Sequence, residues 1–405
     1  MPFRIALSGL NAASADLGVT ANNIANVNTT GFKGSRAEFA EVFATGIQSR
    51  SSAVHGSGVR LTNVAQQFSQ GNIDFTDNSL DLAIGGEGFF VLSDNGTRAY
   101  TRSGNFSVDR DGFVVNNLGQ RLQAYPTAGN GIFNTGSLSD LQLTVGASSP
   151  QATTNAQVGV NLPANAQVPA SPVFDPTDPN SFNHTTSATV YDSLGSAHTA
   201  TIYFIKDPAV NTWGSQVYID GNAVGGVNNL VFGPSGTLQT PAGGNVVLPA
   251  YTPATGAAAL NLTFNYIDAT QFGDQFGVNS LVQDGFATGR LTGIDVSQTG
   301  IVFARFTNGQ SSPLGKVAMA NFTNPSGLQQ LGDTTWGETF ASGDALLGEA
   351  GTSSFGLIQS GALEASNVDL TAQLVQMITA QRNFQANAQM ISTADTVTQT
   401  VINIR

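Results

Sequence analysis

Two stretches of the chain carry a helical pattern, and nearly everything between them carries a strand pattern. Near the N terminus Phe3, Ala6, Leu10, Ala13, Leu17, Thr20, Ile24 and Val27 follow alternating spacings of three and four residues. That spacing predicts a helix with a coiled-coil seam. Asn22, Asn23, Asn26 and Asn28 crowd the end of the run and Gly31 closes it, so the helix is expected to stop in the mid-twenties. The C-terminal stretch repeats the design. Leu370, Leu374, Met377, Gln381, Phe384, Ala388, Ile391, Asp395, Thr398 and Ile402 hold the same spacing, and no Pro or Gly interrupts 362–405. Ser366, Asn367 and Asp369 supply N-cap chemistry before it. Gln381 and Asp395 are polar seam positions of the kind that fix register at some cost in stability.

Between these runs turn signals arrive at short intervals: Asp94-Asn95-Gly96, Asp109-Arg110-Asp111-Gly112, Asn130-Gly131, Asp220-Gly221, Asp284-Gly285 and Asn308-Gly309. The flanking segments, such as Phe89–Val91, Phe113–Val115, Thr199–Ile205 and Ile301–Phe306, are β-branched and aromatic, which predicts strands. Residues 145–284 differ in texture, being rich in Pro, Ala, Asn and Thr. The expected fold is therefore mainly β with α-helical termini and two nested β domains. It comprises a helix at 1–30, a connecting segment at 31–70, an inner β domain from 71–144 with 285–360, an inserted outer β domain at 145–284, and a helix at 361–405. Nesting puts both termini at one end, as two helices pairing in a coiled coil require.

Charge changes how these helices are read. The chain has 405 residues, with 15 Lys+Arg against 27 Asp+Glu, a net charge of -12 that argues against a nucleic-acid partner. Charged residues make up only 10%, where a soluble domain carries roughly 25%. The first helix has only Arg4 and Asp16, and the second Asp369, Arg382, Asp395 and Arg405. A coiled coil standing in water normally carries Glu and Lys beside its seam. These helices are expected to be marginal alone and to order when many chains bundle. The plainer alternative, one intramolecular helical hairpin, leaves the low charge unexplained.

Candidate chemistry is sparse. Cysteine is absent, which excludes disulfides and thiolate metal sites, and His55, His184 and His198 are too scattered for a metal centre. No cofactor is expected. No apolar run is long enough to span a bilayer, and Gly9 and Asn11 interrupt the N-terminal apolar patch before it reaches the length of a secretion signal. Asp109–Gly112 resembles half a calcium loop, but Leu118 stands where the bidentate Glu belongs, so a hairpin turn is the better reading. Gly85-Gly86-Glu87-Gly88 lacks the Lys-Ser/Thr end of a phosphate loop. Asp192, Ser193 and His198 are the residue types of a hydrolase triad, but they fall within one strand-turn-strand stretch without a nucleophile elbow.

The terminal segments carry a resemblance. SGLNAASADLGVTANNIANVNTTGFKGSRAEF (8–39), with Asn22, Asn23, Ile24 and Asn26 followed by Gly31, Phe32 and Lys33, resembles the opening motif of the bacterial flagellar rod and hook axial proteins. The end, 361–405, resembles their closing helix, and 81–92 and 100–126 match as well. The insertion holds TTSATVYDSLGSAHTATIYFIKDPAVNTWGSQVYIDG (185–221), similar to the outer domain of the hook branch; distal rod and hook–filament junction branches are the alternatives. A secreted adhesin would be expected to carry an export signal or membrane anchor, and a phage-tail-like protein would share the low charge and polymerisation but not explain both terminal motifs.

The resemblance implies an extracellular structural subunit, not an enzyme. It implies passage through the flagellar type III export apparatus without a cleaved signal, and assembly with copies of itself into a curved hollow tube. It further implies contact with the distal rod protein, a hook cap and a hook–filament junction protein. Phe3, Ala6, Leu10, Ala13, Leu17, Ile24 and Val27, with Leu370, Leu374, Met377, Phe384, Ala388, Ile391 and Ile402, would form the helix seams of the tube core.

Overall fold

The structure is a computed structural model and describes residues 2–42, 56–129, 131–143, 146–352 and 354–403. The expectations on His55, Asn130 and Arg405, and on the domain boundary at 144–145, lie outside the described residues. The chain is mainly β, with one helix near each terminus, α1 (Pro2–Ala25) and α2 (Leu370–Asn403). It divides into two compact units. Unit 1 is Met1–Val145, Gly293–Arg305 and Ser311–Arg405, and unit 2 is Gly146–Thr292 with Phe306–Gln310.

Local chemistry stops α1 and starts α2. The Asn26 amide donates to the Asn22 carbonyl at 3.0 Å, and Gly31 turns the chain away at φ 68°. A side chain at Gly31 would put its Cβ 2.5 Å from the Ser103 nitrogen, so only glycine fits. At α2 the Asp369 carboxylate accepts from the Thr371 and Ala372 N–H groups at 2.8 and 3.2 Å, an N-cap. The segment read as helical from 361 begins instead with a strand, Ala362–Glu364, paired with Ile73–Phe75. Ala362 and Glu364 are both buried, so this piece follows a two-residue period before the cap starts the helix.

The sheet of unit 1 is built around Ser311–Asn321, Arg121–Gly129, Phe89–Asp94 and Thr97–Thr101, in that order, extended by Thr335–Gly337. Strand Phe89–Asp94 is buried on both faces. Phe90 and Leu92 join Leu82, Ile84, Leu122, Val317 and Ile358 on one side, while Phe89 and Val91 join Tyr100, Phe322 and Trp336 on the other. Beside α1 stands a two-stranded hairpin, β1 (Ser35–Glu41) with β2 (Val59–Gln66). Ser8 ties the helix to it, its Oγ accepting from the Val59 N–H at 3.2 Å.

Unit 2 has a five-stranded antiparallel meander, His184–Tyr191, Ala197–Lys206, Thr212–Ile219, Asn222–Phe232 and Leu238–Thr240. A four-stranded sheet orders Asn245–Val247, Thr263–Asn265, Asn155–Asn161 and Gly277–Gln283. Strand Ala197–Lys206 alternates faces, sending Ala200, Ile202 and Phe204 into a core shared with Trp213, Val158, Val160 and Phe264. The two tryptophans thus report on different units. Leu122→Ala, fully buried in unit 1, is expected to cost about 2–5 kcal/mol, read as a lower midpoint of the unfolding transition seen by Trp336 fluorescence.

Candidate functional site: the terminal helices and the clasp at their base

The two helices run antiparallel through small and polar residues. Asn23 donates to Gln373 Oε1 at 3.1 Å, Gln376 donates to Asp16 at 3.2 Å, and Gly9 faces Asn387. A Cβ at Gly9 would lie 2.5 Å from the Asn387 Oδ1, so the close approach needs glycine there or a moved amide. On α2 the covered positions are Gln373, Gln376, Met377, Ala380, Phe384, Asn387, Ala388, Ile391 and Ala394, and Gln373, Met377, Ala380, Phe384, Asn387, Ile391 and Ala394 among them form another three–four series.

The expected seam residues distribute unevenly over this pair. On α1, Ala6 and Ala13 are buried, Leu10, Leu17 and Ile24 half-buried, and Phe3 exposed; Val27, in the turn past the helix, is half-buried. On α2, Met377, Phe384, Ala388 and Ile391 are half-buried, whereas Leu370, Leu374 and Ile402 are exposed. Half of the expected α2 series is thus displaced by one position on the side facing α1. The polar Asp16 and Asn23 of α1 take amide partners there, which turns Leu374, Val375, Ile378, Met390, Val397 and Val401 outward.

Below the helices, the motif residues are held in place by hydrogen bonds and charge. Asn23 is buried and reads the backbone of β1 twice, accepting from the Ser35 N–H at 2.9 Å and donating to its carbonyl at 2.7 Å. Asn367 does the same for the other terminus. Its Oδ1 accepts from Gly34 N–H at 2.8 Å and its amide donates to the Gln67 and Ser69 carbonyls at 2.7 and 3.1 Å. Asn22, Asn26 and Phe32 line an open groove of about 680 Å³ that also reaches Leu331 and Trp336.

Glu364 lies at the centre, fully buried. One carboxylate oxygen accepts from Lys33 Nζ at 2.6 Å and Gly71 N–H at 2.8 Å, and the other from Arg102 at 3.3 Å. Lys33 also donates to the Ser69 carbonyl and Arg102 to the Gly86 carbonyl, both at 2.8 Å. The Gly31 N–H closes the ring on the Glu364 carbonyl at 2.7 Å. Burial pushes the Lys33 ammonium below its ordinary value against the pull of Glu364, and lowers Arg102 in the same way. Two cations share one carboxylate, so the cluster keeps one net positive charge.

Periodicity did not point to Glu364, Arg102, Asn367 or Gln373. The usable signal was rarity: in a chain with 10% charged residues, Lys33 and Glu364 stand among small and apolar neighbours where a solvated charge is not needed. Among the described residues no group of His, Asp and Glu is arranged to hold a metal, and no helix is long and apolar enough to cross a membrane.

The architecture is thus that of a mainly β chain with one helix near each terminus, both clasped to the sheet of unit 1. Family comparisons agree along the chain. Residues 3–33 match the flagella basal body rod protein family, and 83–168 the flagellar hook protein FlgE/F/G D1 domain. Residues 161–286 match the flagellar basal body protein FlaE D2 domain, and 359–404 the flagellar basal body rod FlgEFG protein C-terminal family. The flagellar hook proteins FlgE of Salmonella typhimurium and Escherichia coli K12 are each 38% identical over 416 residues, covering 100% of both chains. That of Borreliella burgdorferi is 31% identical, covering 98% of each. The crystal structure of Helicobacter pylori flagellar hook protein FlgE2 aligns over 72% of this chain and 100% of that one, with 14% identity and a TM-score of 0.54, a likeness of fold. The chain belongs to the flagellar hook protein FlgE family and is a structural subunit of the bacterial flagellum.

The clasp makes an ordered prediction. Glu364→Gln leaves two buried cations without a counter-charge and is expected to cost about 3–5 kcal/mol, whereas Lys33→Met leaves the neutral Glu364–Arg102 pair and should cost less. Urea unfolding followed by Trp336 checks the order; equal midpoints for the two variants would refute it.

Proposed function

We propose that this chain polymerises into the curved hollow hook, a universal joint that passes motor torque from the rod to the filament. The full-length likeness to hook proteins supports this, and the single structural observation that carries it is the outward apolar surface of α2. Leu374, Val375, Ile378, Met390, Val397, Val401 and Ile402 are 45–67% exposed on a helix whose non-seam faces are otherwise Ala, Ser, Thr, Asn and Gln. A lone helix of this kind is marginal in water, and such a surface calls for neighbours. Copies of the same helix pair, bundled as coiled coils in the tube core, supply them. In this reading the antiparallel contact with α1 orders each helix, and the outward residues join subunits.

The β domains nest, with 145–284 as an outer domain inserted into an inner one, so that both termini reach the core together. The subunit leaves the cell through the flagellar type III export apparatus, assembles beneath a hook cap on the distal rod protein, and ends at a hook–filament junction protein. It acts structurally rather than by catalysis. A distal rod or junction role fits the terminal motifs but not the matched outer domain.

Bending is eased by neutral surfaces. Each turn of a curved hook requires subunits to slide past neighbours, and separating interfacial ion pairs can cost several kcal/mol. Surfaces of Gly, Ser, Thr, Asn and Gln exchange direct hydrogen bonds for bridging water at small cost. Hook stiffness should then change little with ionic strength; sharp straightening in modest salt would count against the idea.

Assembly is tested by truncation. Removing 1–30 or 366–405 leaves Lys33, Arg102 and Glu364 in place and should give a folded monomer that forms no tubes under electron microscopy. Leu374→Asp should do the same without lowering the Trp336 transition. Tubes from any of these would refute the proposal.

A further inference from the structure

The residues that look like a hydrolase triad in unit 2 form something else. Ser193 does not face the imidazole; its Oγ accepts from the Ala258 N–H at 2.9 Å. Both His198 nitrogens face carboxylates instead, Nδ1 at 2.5 Å from Asp220 Oδ2 and Nε2 at 3.3 Å from Asp192 Oδ2. A neutral imidazole has one N–H and would point a lone pair at one of these oxygens, so only the doubly protonated ring donates to both.

Each carboxylate anchors a different loop. Asp192 is fully buried; its Oδ1 accepts from the Leu194 and Ser196 N–H groups at 2.9 and 2.8 Å, fixing the turn after strand His184–Tyr191. Its Oδ2 accepts from the Thr255 hydroxyl at 2.8 Å, reaching the segment between Tyr251 and Leu260. Asp220 lies in the turn between Thr212–Ile219 and Asn222–Phe232, in the left-handed region at φ 50°, and its Oδ1 accepts from the Thr199 N–H at 3.0 Å. From the third segment the imidazole meets the Tyr251 ring, edge-on at 6.3 Å, and through Asp192 the neutral Thr255. The charged groups acting on it are Asp220 and Asp192.

We propose that Asp192, His198 and Asp220 form a proton-dependent latch, in which the imidazolium joins the loops that Asp192 and Asp220 anchor and its deprotonation, which costs one of the two bonds, loosens them together. Titration of the groups follows the same direction. Burial alone would lower His198, but hydrogen bonds and charge from Asp220 and Asp192 more than reverse it, and its value is raised. Burial alone would raise both carboxylates, yet the hydrogen bonds they accept bring Asp192 down to about 2 and Asp220 below its ordinary value. A raised imidazole stabilises fully below the ordinary histidine value of about 6.5 and ceases to do so as pH rises through the raised one. The lowered carboxylates act in the opposite sense, contributing above their ordinary value of about 3.9 and failing only in stronger acid. The latch is therefore closed in mild acid and opens as the pH rises through the raised imidazole value.

The test uses the full-length monomer with carbon-13-labelled histidine. The imidazole signal lost in His198→Gln identifies the residue, and its titration midpoint should lie above about 6.5. Amide exchange of peptides covering 192–199, 219–222 and 251–260, corrected for the intrinsic effect of pH, should speed up together by at least about tenfold across that midpoint, a population change of about 1.4 kcal/mol. Asp220→Asn, at the half-exposed carboxylate, should move the midpoint down and the exchange change with it. A midpoint at or below the ordinary value, loops whose corrected exchange ignores pH, or an exchange change unmoved by Asp220→Asn would each overturn the latch.

Discussion

The carboxylate of Glu364 is the interaction on which the rest of unit 1 depends. Around it meet the end of the N-terminal motif, through Lys33 and Gly31, the backbone at Ser69–Gly71, the unit 1 sheet through Arg102, and the strand that leads into α2. Taking three charges out of water is costly, and a buried ion cluster adds little net stability compared with apolar packing of the same volume. What it does impose is register. Only one arrangement supplies Lys33 and Arg102 with the same carboxylate, the Ser69 and Gly86 carbonyls, and for Arg102 the face of the Phe89 ring, 5.3 Å away. The positive charge left over is spread over those acceptors, which makes displacement of any one segment expensive for the others.

This fixed base makes sense of the loose contact above it. The α1–α2 contact relies on small residues and amide hydrogen bonds, with Gly9, Ala13 and Ala380 allowing the backbones to approach. Such a contact holds direction more than it holds energy. Because Asn23 and Asn367 bind backbone groups on both sides of the base, the helices leave the β structure from defined points. Their outer faces remain free to find partners of their own kind.

Much of this was legible in the sequence. The three–four spacing and the Asn-rich stop located α1, and Ser366, Asn367 and Asp369 marked the region of the α2 cap, which Asp369 supplies, because capping chemistry is local; the start at 361 was too early, since the strand Ala362–Glu364 comes first. Turn pairs and β-branched runs gave the β interior for the same reason. The side of α2 that meets α1 was not legible. Leu374 and Ile402 share a period with Met377 and Phe384, and period alone does not say which of two adjacent stripes serves the partner within the chain. Nor was Glu364 legible, since its partners lie 331 and 262 positions away and an ion pair leaves no periodic trace. In unit 2 the residue types of a triad were visible, but their roles depend on which way each imidazole nitrogen points, and both point at carboxylates.

The scarcity of charge and its location then become one argument. Lys33, Arg102 and Glu364 are buried in unit 1, and Asp192, His198 and Lys206 are buried in unit 2, where the Lys206 ammonium closes a turn on the Asp207, Ala209 and Thr212 carbonyls. Buried charges are directional and resist displacement, since each has partners that nothing else can replace. Uncharged polar surfaces are tolerant, because water can take over any hydrogen bond they lose. A chain that buries Lys33, Arg102 and Glu364 in one unit and Asp192 and Lys206 in the other, and whose sparsely charged surface is largely Ser, Thr, Asn, Gln and apolar helix positions, has units pinned from within and surfaces that tolerate displacement. In the sliding joint proposed above, that partition is what would let subunits move past one another while each keeps its own shape.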